Sequence, residues 1–510
     1  MTDTSSGKKP VGIHRGIITG CAMLATIMQT LDTTIANVAL PYIQGSLATS
    51  PDQISWVLTS YIVAAAIMTA PVGWLSDYFG QRNFFIISLI GFTAASTLCG
   101  IAESLSQMVA FRLLQGMFGA ALVPLSQTTM LNIYSVEQQG WAMAIWGMGI
   151  MVGPILGPTL GGYLTDAYSW RWVFYINVPF GVLAAVGLAL FLEEPEYRTK
   201  SKFSWMGFAY LSLGLASLQL MLDRGELKDW FGSTEIVTEL VLACLGFYLF
   251  LVHTLLAPDA LIDPRIFRDR NYSAGVLLMF VVAAVLLASM ALLPPYLQNL
   301  ANYPVSTAGL VMAPRGVGTM AAMLLAGRLI GLIDARIIML AGMFILGDSM
   351  LRMAVWTPDV STFSMIMTSS IQGFGFGWVF TPLSVIAFAT LPIEFRVVGA
   401  AFFSLVRNVG SAIGISVTSF LLTQNTQIVH SQIAEAVTPF NRMLQTAAAY
   451  VVWNTALPDG IAALNEEVTR QASIIAYSND FKFLFFLTLP GVVLILLMRP
   501  NAAPKSKTAD

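Results

Sequence analysis

Fourteen long apolar stretches dominate this amino-acid sequence and leave few folds open to it. Each stretch reaches the roughly 20 residues that an α-helix needs to cross the hydrocarbon core of a bilayer. Charged residues make up only 11% of the 510 residues, whereas soluble proteins carry about 25%. The sequence therefore predicts an all-α polytopic membrane protein. Its predicted spans, numbered 1–14, are residues 17–40, 54–74, 84–101, 108–131, 141–163, 172–192, 205–222, 235–256, 272–299, 306–332, 337–355, 363–390, 398–423 and 481–498.

The lysines and arginines predict the orientation of these spans. With both termini inside, fifteen of the 26 basic residues fall in inner segments and six on the outer side. Cytoplasmic loops carry the excess of basic residues in membrane proteins. We therefore expect residues 1–16 and 499–510 to be cytoplasmic. The first apolar stretch continues to Pro41, which is too long for a typical cleaved signal peptide.

A constant offset of 257 residues relates two parts of the chain. Three features recur at this distance: Asp77 as Asp334, Gln115-Gly116 as Gln372-Gly373, and Gly153 with Gly157 as Gly410 with Gly414. Internal duplication is typical of secondary transporters, whose substrate site lies between the repeats. The offset predicts two six-helix halves, 17–192 and 272–498, separated by a linker with two inserted helices at 193–271. The second half includes a polar external loop at about 424–480, with an amphipathic helix near Ile461–Ser473.

Two ionisable residues lie inside predicted spans of the first half. Asp32 in span 1 is surrounded by apolar, hydroxyl and amide side chains, and Arg112 lies in span 4. Charged groups are costly inside a bilayer and therefore indicate function. We expect Asp32 to be a proton acceptor and Arg112 its partner, if spans 1 and 4 pack together. The alternatives are a static ion pair, or an Asp32 bonded permanently to Asn37 or to threonine hydroxyls.

Span 11 contains a second acid–base combination. Asp348 and Arg352 share a helix face at i, i+4 spacing, which favours neutralisation within the helix. The alternative is a second proton or cation site. Three further arginines, Arg315, Arg328 and Arg407, are assigned to loops, backbone carbonyls or the interface between the halves, and contact with substrate is the alternative for each.

Two glycine-containing segments predict conformational roles. Span 5 carries the closely spaced residues Gly153, Pro154, Gly157, Pro158, Gly161 and Gly162. Small residues four apart let helices approach closely, and prolines bend a helix or remove backbone donors, so this segment is expected to seal or flex an interface. The turn after span 2 contains Gly73, Asp77, Gly80 and Arg82. There Gly80 permits a tight reversal, and Asp77 and Arg82 can pair or bond helix ends.

Other classes of function find little support. No P-loop sequence is present, which disfavours transport driven by ATP. The three cysteines and three histidines lack the spacing of a disulfide framework or a metal site. No long basic patch indicates nucleic acid. We expect no metal, no cofactor and no enzyme activity.

Several of these segments resemble motifs of the major facilitator superfamily, in particular its 14-helix drug:proton antiporters of the EmrB/QacA type. They are Leu31–Pro41 in span 1, Gly73–Arg82 after span 2, Arg112–Gly116 in span 4, Gly153–Gly162 in span 5, Trp170–Pro179 at the start of span 6, and Leu222–Phe231 after span 7. Gln81 departs from the pattern, since that position is usually basic.

The resemblance implies a major-facilitator fold in a bacterial cytoplasmic (inner) membrane. It implies proton-coupled export of lipophilic or cationic compounds by alternating access, with Asp32 and Arg112 in proton coupling. Gln115 and Gly116, which belong to the same motif as Arg112, are assigned to the conformational residues. Protons, a small-molecule substrate and membrane lipid are the implied partners. In relatives from double-membraned bacteria, a periplasmic adaptor and an outer-membrane channel extend the route. Two alternatives stay open: transport of one dedicated metabolite, and a non-transporting membrane sensor or scaffold.

Overall fold

The computed structural model describes residues 12–194, 202–257, 260–438, 446, 453 and 457–499, and its regular structure is helical throughout those ranges. The helices follow the predicted order of spans. Their bounds are Gly12–Leu47 (span 1), Trp56–Thr69 with Val72–Phe79 (span 2), Gln81–Ile101 (span 3), Leu105–Gly119 with Leu122–Ile133 (span 4), Gln139–Ala167 (span 5), Trp172–Tyr175 with Asn177–Phe191 (span 6), Trp205–Arg224 (span 7), Thr234–Leu256 (span 8), Arg270–Pro295 (span 9), Val305–Leu329 (span 10), Ala335–Ala354 (span 11), Thr362–Ala389 (span 12), Arg396–Ala436 (span 13) and Pro458–Leu497 (span 14).

The length and hydropathy of these helices agree with the predicted membrane protein. Within the described ranges, spans 3–14 are each long and apolar enough to cross a bilayer, and the two helices of span 2 pass the same test together. Span 1 is a single helix of 36 residues with Pro41 inside it. The predicted all-α fold is confirmed, and fourteen helical segments occur in the expected order.

Span 2 is the most sharply bent of these segments. Its two helices meet at an angle of 62°, and Pro71 stands immediately before the second of them. Proline has no backbone N–H and its ring clashes with the preceding turn, so it favours a kink or a break in a helix. The bend directs the end of span 2, with the turn that follows, toward span 13.

The packing of spans 1–6 is repeated by spans 9–14. In the first six spans the principal contacts are 1 with 5, 2 with 4, 3 with 4, 1 with 6, 3 with 6 and 1 with 4. Adding eight to each number gives contacts that spans 9–14 also make, and spans 13 and 14 in addition pack extensively against each other. This repetition supports the division into two six-helix halves, which we call the N-half (spans 1–6) and the C-half (spans 9–14). The exact bounds of these domains stay a prediction.

Spans 7 and 8 form a pair beside the two halves. Span 7 packs against spans 2 and 13, whereas span 8 packs mainly against span 7. Leu211 and Leu215 of span 7 form a small apolar cluster with Leu405 of span 13. The hydroxyl of Ser416 in span 13 also donates to the backbone oxygen of Leu222, at 2.9 Å. The inserted pair therefore contacts both halves through span 7.

The segment predicted as a loop at about 424–480 is helical over most of its described length. Span 13 continues to Ala436, and span 14 begins at Pro458, not at residue 481. The 41 residues of span 13 correspond to about 60 Å, roughly twice the thickness of a bilayer core. The two helices contact each other beyond the membrane, where the His430 ring and Asn465 side chain are 3.1 Å apart. This mutual packing stabilises polar helices that hydropathy alone does not reveal.

Candidate functional site

A buried ion pair joins spans 1 and 4. Asp32 Oδ2 lies 2.6 Å from Arg112 Nη1, and neither side chain is exposed beyond 1%. Isolated charges at such depth are strongly unfavourable, so each group requires the other as its counter-charge. The structure thus brings together the two residues that the sequence identified as candidates for proton coupling. Their role in transport stays a prediction.

Two amides complete the surroundings of the Asp32 carboxylate. Gln115 Nε2 donates to Oδ1 at 2.7 Å, and Asn177 Nδ2 of span 6 donates to the same oxygen at 3.1 Å. Gln115 also accepts from Arg112 Nη1 at 2.8 Å. Gln115 and Asn177 are as deeply buried as the ion pair. The carboxylate therefore accepts hydrogen bonds from spans 4 and 6 simultaneously.

Arg112 is held in place by span 2 as well. Its Nε donates to the backbone oxygen of Val57 at 3.0 Å. The Tyr61 ring lies under the guanidinium, with 4.2 Å between the guanidinium carbon and the ring centroid. Such cation–π contacts are strongest when both groups are out of water. Backbone, ring and carboxylate together surround the one positive charge of this site.

Other charged and polar candidates lie away from this site. Asn37 does not reach Asp32 but donates to the backbone oxygen of Thr33. Arg352 Nε and Asp348 Oδ2 are 2.6 Å apart within span 11, and both side chains are more than a third exposed. This geometry matches neutralisation within one helix. The role of the pair in transport, or its lack of one, stays a prediction.

The glycines of span 5 form a close interface with span 1, directly behind Asp32. A side chain at Gly153 would collide with the backbone of Thr30, and one at Gly157 would collide with the Thr34 hydroxyl. That hydroxyl donates to the Gly153 oxygen at 2.9 Å. Gly161 continues the interface, because an added Cβ there would lie 2.9 Å from the Ile35 side chain.

Gly162 of the span 5 segment does not share this contact. An added Cβ at Gly162 would meet nothing within 4 Å. Pro154 and Pro158 occur inside one uninterrupted helix, Gln139–Ala167, so neither proline breaks it. The side chain of Pro158 lies outside the described residues. The predicted interface therefore rests on three glycines at four-residue spacing, and its part in the conformational cycle stays a prediction.

The turn after span 2 connects to both halves. Gly80 has a φ of 89°, a conformation that glycine adopts without steric cost. Arg82 donates to the backbone oxygen of Ala189 in span 6, which corresponds to bonding a helix end and not to pairing with Asp77. A side chain at Gly73 would collide with Val398 of span 13. The turn thus lies between the N-half and the C-half.

Asp334, the counterpart of Asp77 at the 257-residue offset, caps the following helix. Its carboxylate accepts from the Arg336 backbone N–H at 3.0 Å and forms an ion pair with the same residue at 2.9 Å. Partial burial opposes the charge of this carboxyl, but the hydrogen bonds from Arg336 hold its pKa below the ordinary value. Asp334 therefore stabilises the start of span 11 through its contacts with Arg336.

Spans 5 and 10 form the main contact between the halves. An added Cβ at Gly140 would lie 2.9 Å from the Gly327 oxygen, so the two backbones touch at this end of the helices. Further along span 5, the ring of Trp146 stacks with that of Phe380 in span 12, with 6.0 Å between centroids. Gly316 packs against Ile155. The seam between the halves, which we define as the contact of spans 5 and 10, is tightly packed near the Gly140–Gly327 end.

Sequence reasoning missed two members of the Asp32 site. Asn177 and Tyr61 were not singled out, although Asn177 belongs to a quoted motif at the start of span 6. Gln115 was assigned to a conformational motif and not to the carboxylate. An amide inside an apolar span is the signal that could have identified Asn177, since buried amides need hydrogen-bond partners.

Comparison with known proteins agrees with this architecture. Residues 22–415 match the family described as Major Facilitator Superfamily. The chain is 34% identical over 492 residues to the multidrug export protein EmrB of Escherichia coli K12, covering 95% of this chain and 96% of EmrB. It is 32% identical to the fatty acid resistance protein FarB of Neisseria gonorrhoeae, covering 94% of this chain and 93% of FarB.

Solved structures with this fold are more distant in sequence. The human organic anion transporter MFSD10 superimposes with a TM-score of 0.59 at 15% identity, covering 93% of this chain and 99% of MFSD10. A bacterial homologue of the lysosomal transporter Spinster, inward-facing and unoccupied, gives 0.55 at 16% identity, covering 96% of this chain and 98% of the homologue. The motifs, the repeated packing and these matches lead to one conclusion: the chain belongs to the major facilitator superfamily and, within it, to the EmrB-type drug:proton antiporters.

Proposed function

We propose that this protein exports lipophilic or cationic compounds in exchange for protons, by alternating access of a site between the N-half and the C-half. The observation that carries the proposal is the fully buried Asp32 carboxylate, paired with Arg112 and bonded by Gln115 and Asn177. Ionisable groups inside membrane spans mark proton relays and substrate pathways. Transport, and not catalysis, is the proposed activity.

The Asp32 site can couple protons to movement because its bonds join three spans. Protonation of Asp32 removes the charge that holds Arg112 and converts one acceptor oxygen into a donor. The donors on spans 4 and 6 then lose their preferred partner. A cationic compound competes for the same carboxylate, so proton and substrate exclude each other at this residue. Mutual exclusion of this kind produces exchange.

Movement of the halves is supported by the way they meet. Spans 5 and 10 touch through glycines at one end, and span 5 is tied to the Asp32 helix through Gly153 and Gly157. A change at span 1 therefore reaches the seam through one close-packed interface. Rocking of one repeat against the other around a fixed site is the usual route of alternating access.

The proposal is tested by substituting Asp32→Asn, which keeps the shape of the side chain and removes its titration. Purified protein in proteoliposomes with an imposed pH gradient is expected to lose proton-driven transport of a fluorescent lipophilic cation. Asp348→Asn is the matched control, since it removes an acid from span 11 at a half-exposed pair. Full proton-driven transport by the Asp32 variant would refute the assigned role.

The substrate range is tested separately with a panel of toxicants. Strains that lack or overexpress the protein are compared across dyes, cationic biocides and weak acids, with and without a protonophore. Protection against several unrelated compounds, abolished by the protonophore, is expected. A single saturable ligand without such protection would favour transport of one dedicated metabolite. Tolerance of charge loss at Asp32 and Arg112, without proton movement, would favour a sensor or scaffold.

We also propose a bacterial inner membrane as the location, with both termini in the cytoplasm. This orientation places the helical projection formed by the ends of spans 13 and 14 on the outer side. By analogy with EmrB-type relatives, this projection supports the proposal that the protein contacts a periplasmic adaptor. The adaptor would connect it to an outer-membrane channel. Crosslinking from cysteines introduced at the projection in intact cells tests both the side and the contact.

A further inference from the structure

The C-half contains a polar cluster at the position that corresponds to the Asp32 site. Adding 257 to Asp32, Arg112 and Gln115 leads to Ser289, Ser369 and Gln372. Gln372 Nε2 donates to Ser289 Oγ at 3.0 Å, as Gln115 Nε2 donates to Asp32. The internal repeat has therefore preserved the amide and its bond but replaced both charged residues by serines.

A different residue supplies a charge to this cluster. Arg315 of span 10 donates through Nη2 to Ser289 Oγ at 3.1 Å and to the Leu286 oxygen at 3.3 Å. Its counterpart by the offset is Leu58, next to the Val57 carbonyl that binds Arg112. Both halves thus hold one buried arginine between equivalent spans, reached from different helices.

The two arginines differ in their counter-charge. Arg112 pairs with Asp32, whereas Arg315 forms no ion pair with any residue that the structure describes. Arg315 is only 5% exposed, and its Nη1 is buried without a hydrogen-bond partner among those residues. Truncation of one member of a buried ion pair leaves a strongly unfavourable charge. In the unaltered protein, Arg315 is such a buried charge without a counter-charge among the described residues.

Hydrogen-bonding groups without partners in this cluster indicate which kind of ligand could neutralise the charge of Arg315. Besides Nη1, the Ser369 hydroxyl and Gln372 Oε1 are buried without partners in the described part of the chain. A planar guanidinium matches the two oxygens of a carboxylate, and a free hydroxyl can donate to a carboxylate oxygen. The free amide oxygen accepts from a donor elsewhere on the same ligand. These groups favour an organic anion over a second cation.

The position of Arg315 connects the cluster to the transport route. The next residue, Gly316, packs against Ile155 of span 5, so Arg315 lies one residue from the seam between the halves. Substrate sites of duplicated transporters lie at this boundary. Separation of spans 5 and 10 would open the cluster to a ligand without unfolding either half.

We propose that Arg315, with Ser369 and Gln372, binds the carboxylate of an organic anion that the protein transports. The proposal extends the proposed function, because it adds a site for acidic compounds to the Asp32 site for protons and cations. The two sites are complementary in charge. The carboxylate of the N-half can bind a cation or a proton, and the guanidinium of the C-half can bind an anion.

The test measures equilibrium binding of naphthoate and of its neutral isostere naphthamide to the purified full-length protein in nanodiscs. Naphthoate is expected to bind about thirtyfold more tightly, because the charged bond is lost with the amide. Arg315→Gln should remove this preference. Arg328→Gln is the matched control, since it removes an exposed positive charge from the same helix and should leave the preference unchanged.

A second variant keeps the test decisive if Arg315→Gln does not fold. Ser289→Asp places a carboxylate next to Arg315 and copies the N-half, so it should abolish the preference for naphthoate while retaining the fold. Equal binding of the two compounds to the unaltered protein, or a preference that survives both variants, would overturn the proposal. So would a site filled by chloride alone, which a chloride titration detects as binding that naphthoate does not displace.

These outcomes are independent of proton coupling. Binding at equilibrium requires no gradient, and Asp32→Asn is expected to retain the preference for naphthoate. Loss of proton-driven transport with intact anion binding would confirm both ideas, whereas full transport by the Asp32 variant would refute only the proton role.

Discussion

The two polar clusters of this protein show how a duplicated fold can carry two different chemistries. In the N-half, Arg112 is neutralised by Asp32 and supported by a tyrosine ring and a backbone oxygen. In the C-half, Ser289 replaces the acid, and Arg315 bonds a hydroxyl and a carbonyl but no carboxylate that the structure describes. A glutamine amide contacts position 32 in the N-half (Gln115) and the equivalent position 289 in the C-half (Gln372). The repeat therefore preserves the framework of the site while the charges have diverged.

The largest expected difference between the halves concerns the loss of each arginine. Arg112→Ala leaves the Asp32 charge buried without its partner and should lower the free energy of unfolding by about 3–5 kcal/mol. Arg315→Ala removes a charge that has no counter-charge, so the free energy of unfolding should stay unchanged or rise. Denaturant titration of both variants in detergent micelles measures the contrast. Equal destabilisation would show that Arg315 is as well compensated as Arg112.

A smaller loss of stability is expected from substituting the interface glycines of spans 5 and 13, and this loss should be similar in the two halves. An added methyl group at Gly153 collides with the Thr30 backbone, and one at Gly410 would lie 2.7 Å from the Phe280 oxygen of span 9. Overpacking of this kind typically costs about 1–3 kcal/mol. Gly153→Ala and Gly410→Ala should therefore lower stability similarly and slow transport.

Gly162→Ala is the control for these two variants, because its added methyl group meets nothing within 4 Å. It should be neutral or slightly stabilising, since alanine has the higher helix propensity. Thermal unfolding and transport are measured on all three proteins. A Gly410 variant without any effect would indicate that the interface of span 9 with span 13 is not equivalent to that of span 1 with span 5.

The smallest effect is expected at the exposed pair of span 11. Asp348→Asn should change the free energy of unfolding by no more than about 0.5 kcal/mol, because exposed i, i+4 pairs contribute little. Proton-driven transport should persist at the unaltered rate. Transport loss comparable to that of Asp32→Asn would identify Asp348 as the second proton or cation site that its sequence context left open.

The sequence predicted the helices well because apolar runs and breaks in them are local properties. Asp32 and Arg112 were recognisable for the same reason, since a charge inside an apolar run stands out. Which side chains meet was harder to predict. Asn177 approaches Asp32 across 145 positions, and only the packing of span 6 against span 1 determines that contact.

The C-half cluster was missed for a different reason. Serines and glutamines are unremarkable in membrane helices, so Ser289, Ser369 and Gln372 attracted no interest individually. Applying the 257-residue offset to Asp32 itself would have indicated Ser289. The polar ends of spans 13 and 14 were assigned to a loop, with a helix expected only near Ile461–Ser473, which the structure contains. Hydropathy detects membrane burial and does not detect two polar helices that contact each other, as these do at His430 and Asn465.

The extended ends of spans 13 and 14 also have a mechanical consequence. Both belong to the C-half, and span 13 is continuous from Arg396 to Ala436. A rigid rod of about 60 Å displaces its tip by about 1 Å for each degree that its base turns. A rotation of a few degrees within the bilayer therefore displaces the tip by several ångströms. The position of the tip outside the membrane thus depends on the conformation of the transporter.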